Sequence, residues 1–220
     1  MKIAIDGPAG AGKSTIARKA AAKLGFIYVD TGAMYRSIAL FMLDQGIDPL
    51  DKEKVEANVN RADIRIKYID NEQVIFLNGE NVNKRIRTPL VSQAASSTSR
   101  YAKVREHLLS LQRDIALKNS VIMDGRDIGT VILPDAEIKI FLTASPEIRG
   151  ERRYKELIEK GESANLSKII EDIRKRDKND SERENAPLKK ADDAILIDSS
   201  NMTIDEVVNT ITDLAKEKRG

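Results

Sequence analysis

Residues 7–15 read GPAGAGKST, and they follow directly on the short apolar stretch KIAID. Against the template G-x-x-x-x-G-K-[ST], Gly7, Gly12, Lys13 and Ser14 fall in register. The glycines let the backbone curl so that successive N–H groups point inward at phosphate oxygens. The lysine reaches the β- and γ-phosphates of a nucleotide, and the serine hydroxyl suits Mg²⁺. Such a loop works only between a buried strand and a helix whose N-terminus faces the phosphates. Residues 2–6 supply the strand, ending in Asp6, and KSTIARKAAAKLG supplies the helix. Ile16, Ala20 and Leu24 form its apolar stripe, and Gly25 is its stop signal. A bare glycine-rich turn would not need all four motif positions and both flanks.

The same rhythm continues downstream. FIYVD (26–30), SVIMD (120–124), IKIFLT (138–143) and AILID (194–198) read as buried strands, three of them closed by an aspartate. Helical patterns separate them, as in a parallel sheet covered on both faces. One helix is expected over 102–118, with Val104, Leu108, Leu111 and Ile115 on one face, and a last one through TIDEVVNTITDLAKEK. The segment 63–83 departs from this pattern. DIRIKYI alternates apolar and charged residues, QVIFLNGENV follows, and Asn78-Gly79 is a strong hairpin signal. A small antiparallel insert on a parallel core is expected there.

Composition narrows the partners. The 220 residues hold 37 basic and 35 acidic side chains, and the most charged stretch, 149–190, has 13 basic against 10 acidic. Such balance argues against a nucleic-acid surface, which carries a patch of one sign. No cysteine is present, so neither disulfides nor a thiolate metal site can form. The apolar run IALFML at 38–43 falls far short of the ~20 residues a membrane span needs. Asp6 interrupts the first apolar stretch, which argues against a secretion signal.

Three downstream clusters bear on what accepts the phosphate. In DTGAMYR (30–36), Asp30 ends a strand and Thr31 opens a helix whose first turns carry Tyr35 and Arg36. An arginine so near the carboxyl edge of the sheet suits a phosphate; a plain helix cap with a solvated arginine is the alternative. In MDGRDIGT (123–130), Asp124 follows three apolar residues, the pattern of a strand-end carboxylate that supports Mg²⁺ directly or through water. Arg126 and Asp127 follow in a glycine-bracketed loop where the ligand crevice of such a fold lies. In RKRDKNDSERENAP, Arg176, Asp180 and Arg183 share a helix face by their spacing, as do Arg149, Arg152 and Arg153 further upstream. For both runs a solvated, salt-bridged face is the plainer alternative. An acceptor that is itself a phosphate needs an arginine clamp of its own. It needs no general base, because a phosphomonoester is largely ionised at pH 7. The single histidine, His107, lies in a charged helical run and reads as a surface residue.

IDGPAGAGKST, DTGAMYR, RIRTPLVSQAAS, VRE, DGRDIGT, KIFLTAS and IRKRDKNDSER…APL…ADDAILID occur in this order over nearly the whole chain. Together they resemble the bacterial cytidylate kinases. The resemblance implies an α/β P-loop kinase fold: a parallel sheet flanked by helices, a small antiparallel insert in the monophosphate-binding part and a helical lid. It implies one domain over 1–220, with the monophosphate-binding part at 30–105, the insert near 63–83 and the lid at 149–175. The reaction implied is transfer of the γ-phosphate of ATP to CMP or dCMP, with Mg²⁺.

ATP is then expected on Gly7, Pro8, Ala9, Gly10, Ala11, Gly12, Lys13, Ser14 and Thr15, with Mg²⁺ at Ser14 and Asp124. Lys13, Asp124, Arg126, Arg149, Arg152 and Arg153 are the implied catalytic set. Arg36 and Arg126 would grip the acceptor phosphate, Thr31 and Tyr35 line its pocket, and Arg176, Asp180 and Arg183 hold ribose and phosphate. Ser96, Arg105 and Asp127 would meet the base. Cytosine offers an N4 donor that a carboxylate accepts, whereas uracil places a carbonyl there. Thr31 stands where serine is common in the family, and Ile158 where glutamine is often found.

UMP, AMP or a hydroxyl acceptor such as shikimate are the near rivals, disfavoured by Asp127, Arg105 and the second arginine clamp. A GTP-binding switch would need N-K-x-D, which the sequence lacks. The expected protein is a cytoplasmic monomer with small-molecule substrates and neither nucleic-acid nor membrane partners.

Overall fold

Strand β1 (Lys2–Asp6) is apolar from Ile3 to Ile5 and buried throughout that run. A run buried on both faces marks an interior strand of a parallel sheet, not an alternating edge. In the computed structural model, which describes residues 1–69 and 72–219, the chain continues through α1 (Lys13–Leu24), β2 (Ile27–Asp30), α2 (Thr31–Asp44) and α3 (Lys52–Asn58). Next come β3 (Ile64–Ile69), β4 (Glu72–Leu77), β5 (Glu80–Asn81), α4 (Pro89–Thr98) and α5 (Ala102–Lys118). The chain ends with β6 (Val121–Gly125), β7 (Ile138–Thr143), α6 (Pro146–Glu159), α7 (Leu166–Glu182), β8 (Ile195–Asp198) and α8 (Ile204–Glu217).

The residues fall into two compact units, Met1–Phe26 with Ile122 onward, and Ile27–Val121. In the first, β6, β1, β7 and β8 stand side by side in that order in one sheet. β1 and β7 run parallel, Ile3 opposite Ile138 and Asp6 opposite Phe141, and β8 runs parallel to β7, with Thr143 opposite Asp198. Asp6, Thr143 and Asp198 therefore end their strands on one edge, the carboxyl edge at which open α/β sheets bind ligands. Helix α1 buries Ile16, Ala17, Ala20 and Ala21, while Leu24 is only half-buried. It packs on α8, which a capping box between Thr203 and Glu206 starts and which buries Val207, Val208, Ile211 and Ala215. Helices α6 and α7 pack closely: a side chain added at Gly150 would lie 2.4 Å from Ile170 Cγ1.

In the second unit, α2 is buried almost all round, and α4 packs along it. The expected insert is present as an antiparallel sheet in the order β3-β4-β5. Ile64 pairs with Leu77 and Ile69 with Glu72; the residues joining those strands, 70–71, lie outside the described residues. Asn78 and Gly79 both take positive φ, 49° and 88°, as the tight turn between β4 and β5 requires. On α5 the buried stripe is Val104, Leu108, Gln112 and Ala116, with Leu111 and Ile115 only half-buried. The expected face thus shifts, because residues four apart form a ridge oblique to the helix axis. His107, expected at the surface, is half-buried and donates from Nε2 to the Ala62 carbonyl at 2.9 Å. Among the described residues no helix is long and apolar enough to cross a membrane.

Candidate active site

The phosphate loop is shaped by the backbone before any side chain acts. Gly7 has φ +149°, and a Cβ there would fall 1.9 Å from the Leu142 carbonyl oxygen of β7. Only glycine fits between that strand and the loop. Gly12, at φ 85°, is the left-handed N-cap from which α1 starts. Lys13 is buried and donates from Nζ to the Pro8 carbonyl at 2.7 Å. Burial pulls its pKa down to about 7, and the nearby Arg126 charge adds to this against Asp124, Asp6 and Asp180. Any further negative charge brought beside such a lysine would favour its charged form.

Ser14 Oγ donates to Asp124 Oδ2 at 2.8 Å, and Asp124 is buried at the end of β6. Two hard oxygens suit a small divalent cation that keeps most of its coordination for water and phosphate. Among the described residues no cluster of three or more His, Cys, Asp or Glu could enclose an ion by itself.

Past Asp124 the strand runs into the loop of Arg126 and Asp127. Arg126 Nε donates to Asp180 Oδ2 at 2.8 Å, and Asp180 is buried on α7. Burial opposes ionisation of Asp180, but Arg126, with Arg176 and Arg183 beside it, holds the carboxyl below its ordinary range. Arg183 reaches Asp127 across 3.4 Å, and both side chains are almost wholly buried. Arg183 is not on the helix, contrary to the expectation from its spacing. Helix α7 ends at Glu182 and Arg183 is an extended cap, φ −66° and ψ 140°, with Nε donating to the Ala186 carbonyl. Leaving the helix frees the side chain to reach the β6 loop. The structure thus joins Arg126 to Asp180 and Asp127 to Arg183, and Arg176 lies close enough to act on Asp180.

Asp6, which the sequence marks only as the last residue of β1, anchors this loop. Its two carboxylate oxygens accept from the N–H groups of Ile128 and Gly129, each at 2.8 Å. The Asp127 carbonyl accepts from Val131 and Ile132 at 2.9 and 3.2 Å in the turn that follows. Burial raises the Asp6 pKa to about 6, against the lowering effect of the two N–H bonds.

The three α6 arginines have separate fates. Arg149 is buried, donating to the Ala144 carbonyl at 2.8 Å and to the loop carbonyl of Ala9 at 2.9 Å. It also makes a two-pronged pair with Asp177, at 3.0 and 2.6 Å. Arg152 donates to the Ser199 carbonyl at 2.7 Å, and Arg153 pairs with Glu156 on the exposed surface. The solvated face allowed for this run therefore holds for Arg153 and fails for Arg149. Asp177 carries no mark in the sequence beyond its place beside Arg176.

In the other unit, Asp30 caps α2 by accepting from Ala33 N at 2.8 Å, and its second oxygen accepts from Arg36 Nη2 at 3.0 Å. Gln73 of the insert brackets the Asp30 main chain, accepting from its N–H at 2.8 Å and donating to its carbonyl at 3.2 Å. Nε of Arg36 is buried without a hydrogen-bond partner in the structure, a donor left unsatisfied. A second guanidinium, Arg87, lies 3.7 Å from the same Asp30 oxygen; its signal was the RIRTPL stretch. The Arg105 guanidinium stands 5.3 Å from the centre of the Tyr35 ring and donates to the Ser99 carbonyl at 3.0 Å. Ser96 is half-buried on α4, its carbonyl accepting from the Ser99 hydroxyl, and Thr31 is buried in the first turn of α2.

Comparison with known proteins agrees with this chemistry. The family model described as cytidylate kinase matches residues 3–217. A cytidylate kinase of Caldicellulosiruptor bescii is 50% identical over 214 residues, 97% of this chain and 95% of that protein. One from Lactobacillus johnsonii is 49% identical over 219 residues, covering 100% of this chain and 95% of its own. A solved structure of an uncharacterized protein from Eubacterium ventriosum shares the fold, with TM-score 0.54, 14% identity and 98% of both chains covered. The chain belongs to the cytidylate kinase family, ATP-dependent nucleoside monophosphate kinases that work with a divalent metal and pass the γ-phosphate of ATP to CMP or dCMP.

Proposed function

We propose that residues 7–15 hold the phosphates of ATP, and that Ser14 and, directly or through water, Asp124 hold Mg²⁺. When bound there, the metal neutralises charge on the β- and γ-phosphates. Lys13 would meet the same oxygens. Arg36 and Arg126 would bind the phosphate of CMP, Arg176, Asp180 and Arg183 its ribose and phosphate, and Thr31 and Tyr35 its surroundings. The observation that carries this reading is the spacing at the end of β6. Asp124, bonded to Ser14 of the donor loop, stands two residues before Arg126, bonded to Asp180. On this reading one strand end would carry a donor-side carboxylate and an acceptor-side guanidinium.

The acceptor phosphate, with a second pKa near 6, is ionised at pH 7 and attacks without a general base. Positioning and neutralisation of charge supply the catalysis. Ser96, Arg105 and Asp127 would read the base. Asp127 accepts from the cytosine N4 amino group and meets the uracil carbonyl with like polarity. The stretch 149–175 would serve as the lid that excludes water, with Arg152 and Arg153 drawn toward the transferring phosphate on closure. Arg149 would act from its place on the loop carbonyl. The whole chain would work as one kinase domain, with 30–105 as its monophosphate-binding part. A cytoplasmic monomer acting on small molecules alone, without nucleic acid or membrane, fits the balanced charge and the absence of cysteine.

The test is ADP release with Mg-ATP and, separately, CMP, dCMP, UMP, AMP and GMP. Turnover confined mainly to CMP and dCMP is expected. Turnover chiefly on another nucleotide would remove Ser96, Arg105 and Asp127 from base recognition, and ADP release independent of any acceptor would overturn the kinase reading.

A further inference from the structure

Within the unit that carries the phosphate loop, the polar contacts close into a ring. The Ala9 carbonyl of the loop accepts from Arg149 Nη1 at 2.9 Å, and both oxygens of Asp177 hold the same guanidinium. Asp177 lies on α7 three residues before Asp180, so the two carboxylates share a helix face about one turn apart. Asp180 accepts from Arg126, Arg126 follows Asp124 by two residues, and Asp124 accepts from Ser14, which returns the ring to the loop.

Arg149 is committed to this arrangement. Its side chain is 3% exposed, and Nε is used on the Ala144 carbonyl. Its stem lies against the loop itself, since a Cβ at Gly10 would be 3.4 Å from Arg149 Cβ. A planar guanidinium can hold a carboxylate with one edge and a carbonyl with another, which an ammonium cannot do. Helix α7 then carries one carboxylate tied to the donor loop and a second tied to the acceptor-side arginine. The close approach of Gly150 to Ile170 fixes how α6, which bears Arg149, meets that helix.

We propose that Asp177 is a positioning residue that, through Arg149, couples occupancy of the phosphate loop to the Arg126–Asp180 pair, so that each nucleotide tightens the binding of the other. This rests on the reading of Arg126 and Asp180 as acceptor ligands. Phosphates in the loop fix the Ala9 carbonyl, that carbonyl fixes Arg149, and Arg149 fixes α7. CMP then meets a helix whose ordering is already accomplished. By linkage, CMP returns the same factor to ATP.

The measurement is calorimetric titration of CMP into the full chain, with and without a non-hydrolysable ATP analogue and Mg²⁺, for the parent and for Asp177→Asn. The parent should bind CMP at least about fivefold tighter with the analogue present, the lower end of ordinary coupling between sites. In Asp177→Asn the ratio should fall to within about twofold of unity, on the same scale of coupling. A purely structural role would lower the melting temperature and weaken each nucleotide alone while leaving that ratio in place. Arg149→Lys keeps the charge but loses the two-pronged bond, and should abolish the ratio in the same way; it decides the matter if Asp177→Asn does not fold. An unchanged ratio in the folded variant, or no tightening in the parent, overturns the coupling. Failure of the parent to phosphorylate CMP overturns instead the functional reading beneath it.

Discussion

Arg126 and Asp180, 54 residues apart in sequence, meet through a 2.8 Å bond that turns a buried carboxylate and a half-buried guanidinium into one unit. The pair keeps Asp180 ionised against its burial and holds Arg126 beside the end of β6.

Replacing Arg126 by alanine should therefore act on the acceptor. CMP turnover should fall roughly 10²- to 10³-fold, the usual cost of removing one preorganised donor from a charged transition state. Binding of an ATP analogue, measured alone, should change by less than about threefold. An equal loss of ATP affinity would move Arg126 to the donor side.

Asp127 faces Arg183 at 3.4 Å and is proposed to read the cytosine amino group. Asp127→Ala should weaken CMP and lower the ratio of CMP to UMP in kcat/KM by roughly 10²-fold or more, because a polar mismatch discriminates more sharply than shape. Steady-state kinetics on both nucleotides measures it. An unchanged ratio would take Asp127 out of base recognition.

Asp6 gives a pH signature. Its folded pKa, about 6, lies above the ordinary 3.8, so between these values the folded chain binds more protons than the unfolded one. Its contribution to stability is full below 3.8 and is lost as the pH rises through about 6. Urea unfolding of the parent and of Asp6→Asn should show the difference between them shifting against the parent by roughly 2 kcal/mol from pH 4 to 7. A difference flat with pH would mean that Asp6 titrates at its ordinary value.

Gly7 is tested most simply by one methyl group. Its Cβ would overlap the Leu142 carbonyl at 1.9 Å, so either β7 or the loop must shift. Gly7→Ala should cost about 3 kcal/mol or more in thermal or urea unfolding and abolish ATP binding, by steric strain in a packed interior. Gly25→Ala would meet no neighbour within 4 Å and serves as the contrast, leaving only the strain of its φ of +69°.

Much of this arrangement is legible in the order of residues alone, because it rests on local rules. An apolar run that ends in a carboxylate, followed by glycines and a helix, can be read within a dozen residues, and both Asp6 and Asp124 mark the sheet edge in that way. What escapes is set by distant packing. Asp6 finds its partners 122 and 123 residues away, and Asp177 finds Arg149 only because Gly150 lets α6 approach Ile170. Nothing in the charge pattern of 149–153 separates the buried Arg149 from the exposed Arg153. Arg183 obeys helical spacing in the sequence and still lies off the helix, because its bonds to Asp127 and Ala186 outweigh one more helical turn.

The clamp of Asp6 on residues 128 and 129, together with the turn that closes on the Asp127 carbonyl, leaves the backbone around position 127 with little left to choose. Recognition at such a place would be written in side-chain identity and not in motion. A change of acceptor base would then need no remodelled loop and no inserted residue, only exchanges on a fixed frame. Exchanges at position 127 would have to answer one constraint that the backbone does not set, the buried Arg183 guanidinium that Asp127 now faces.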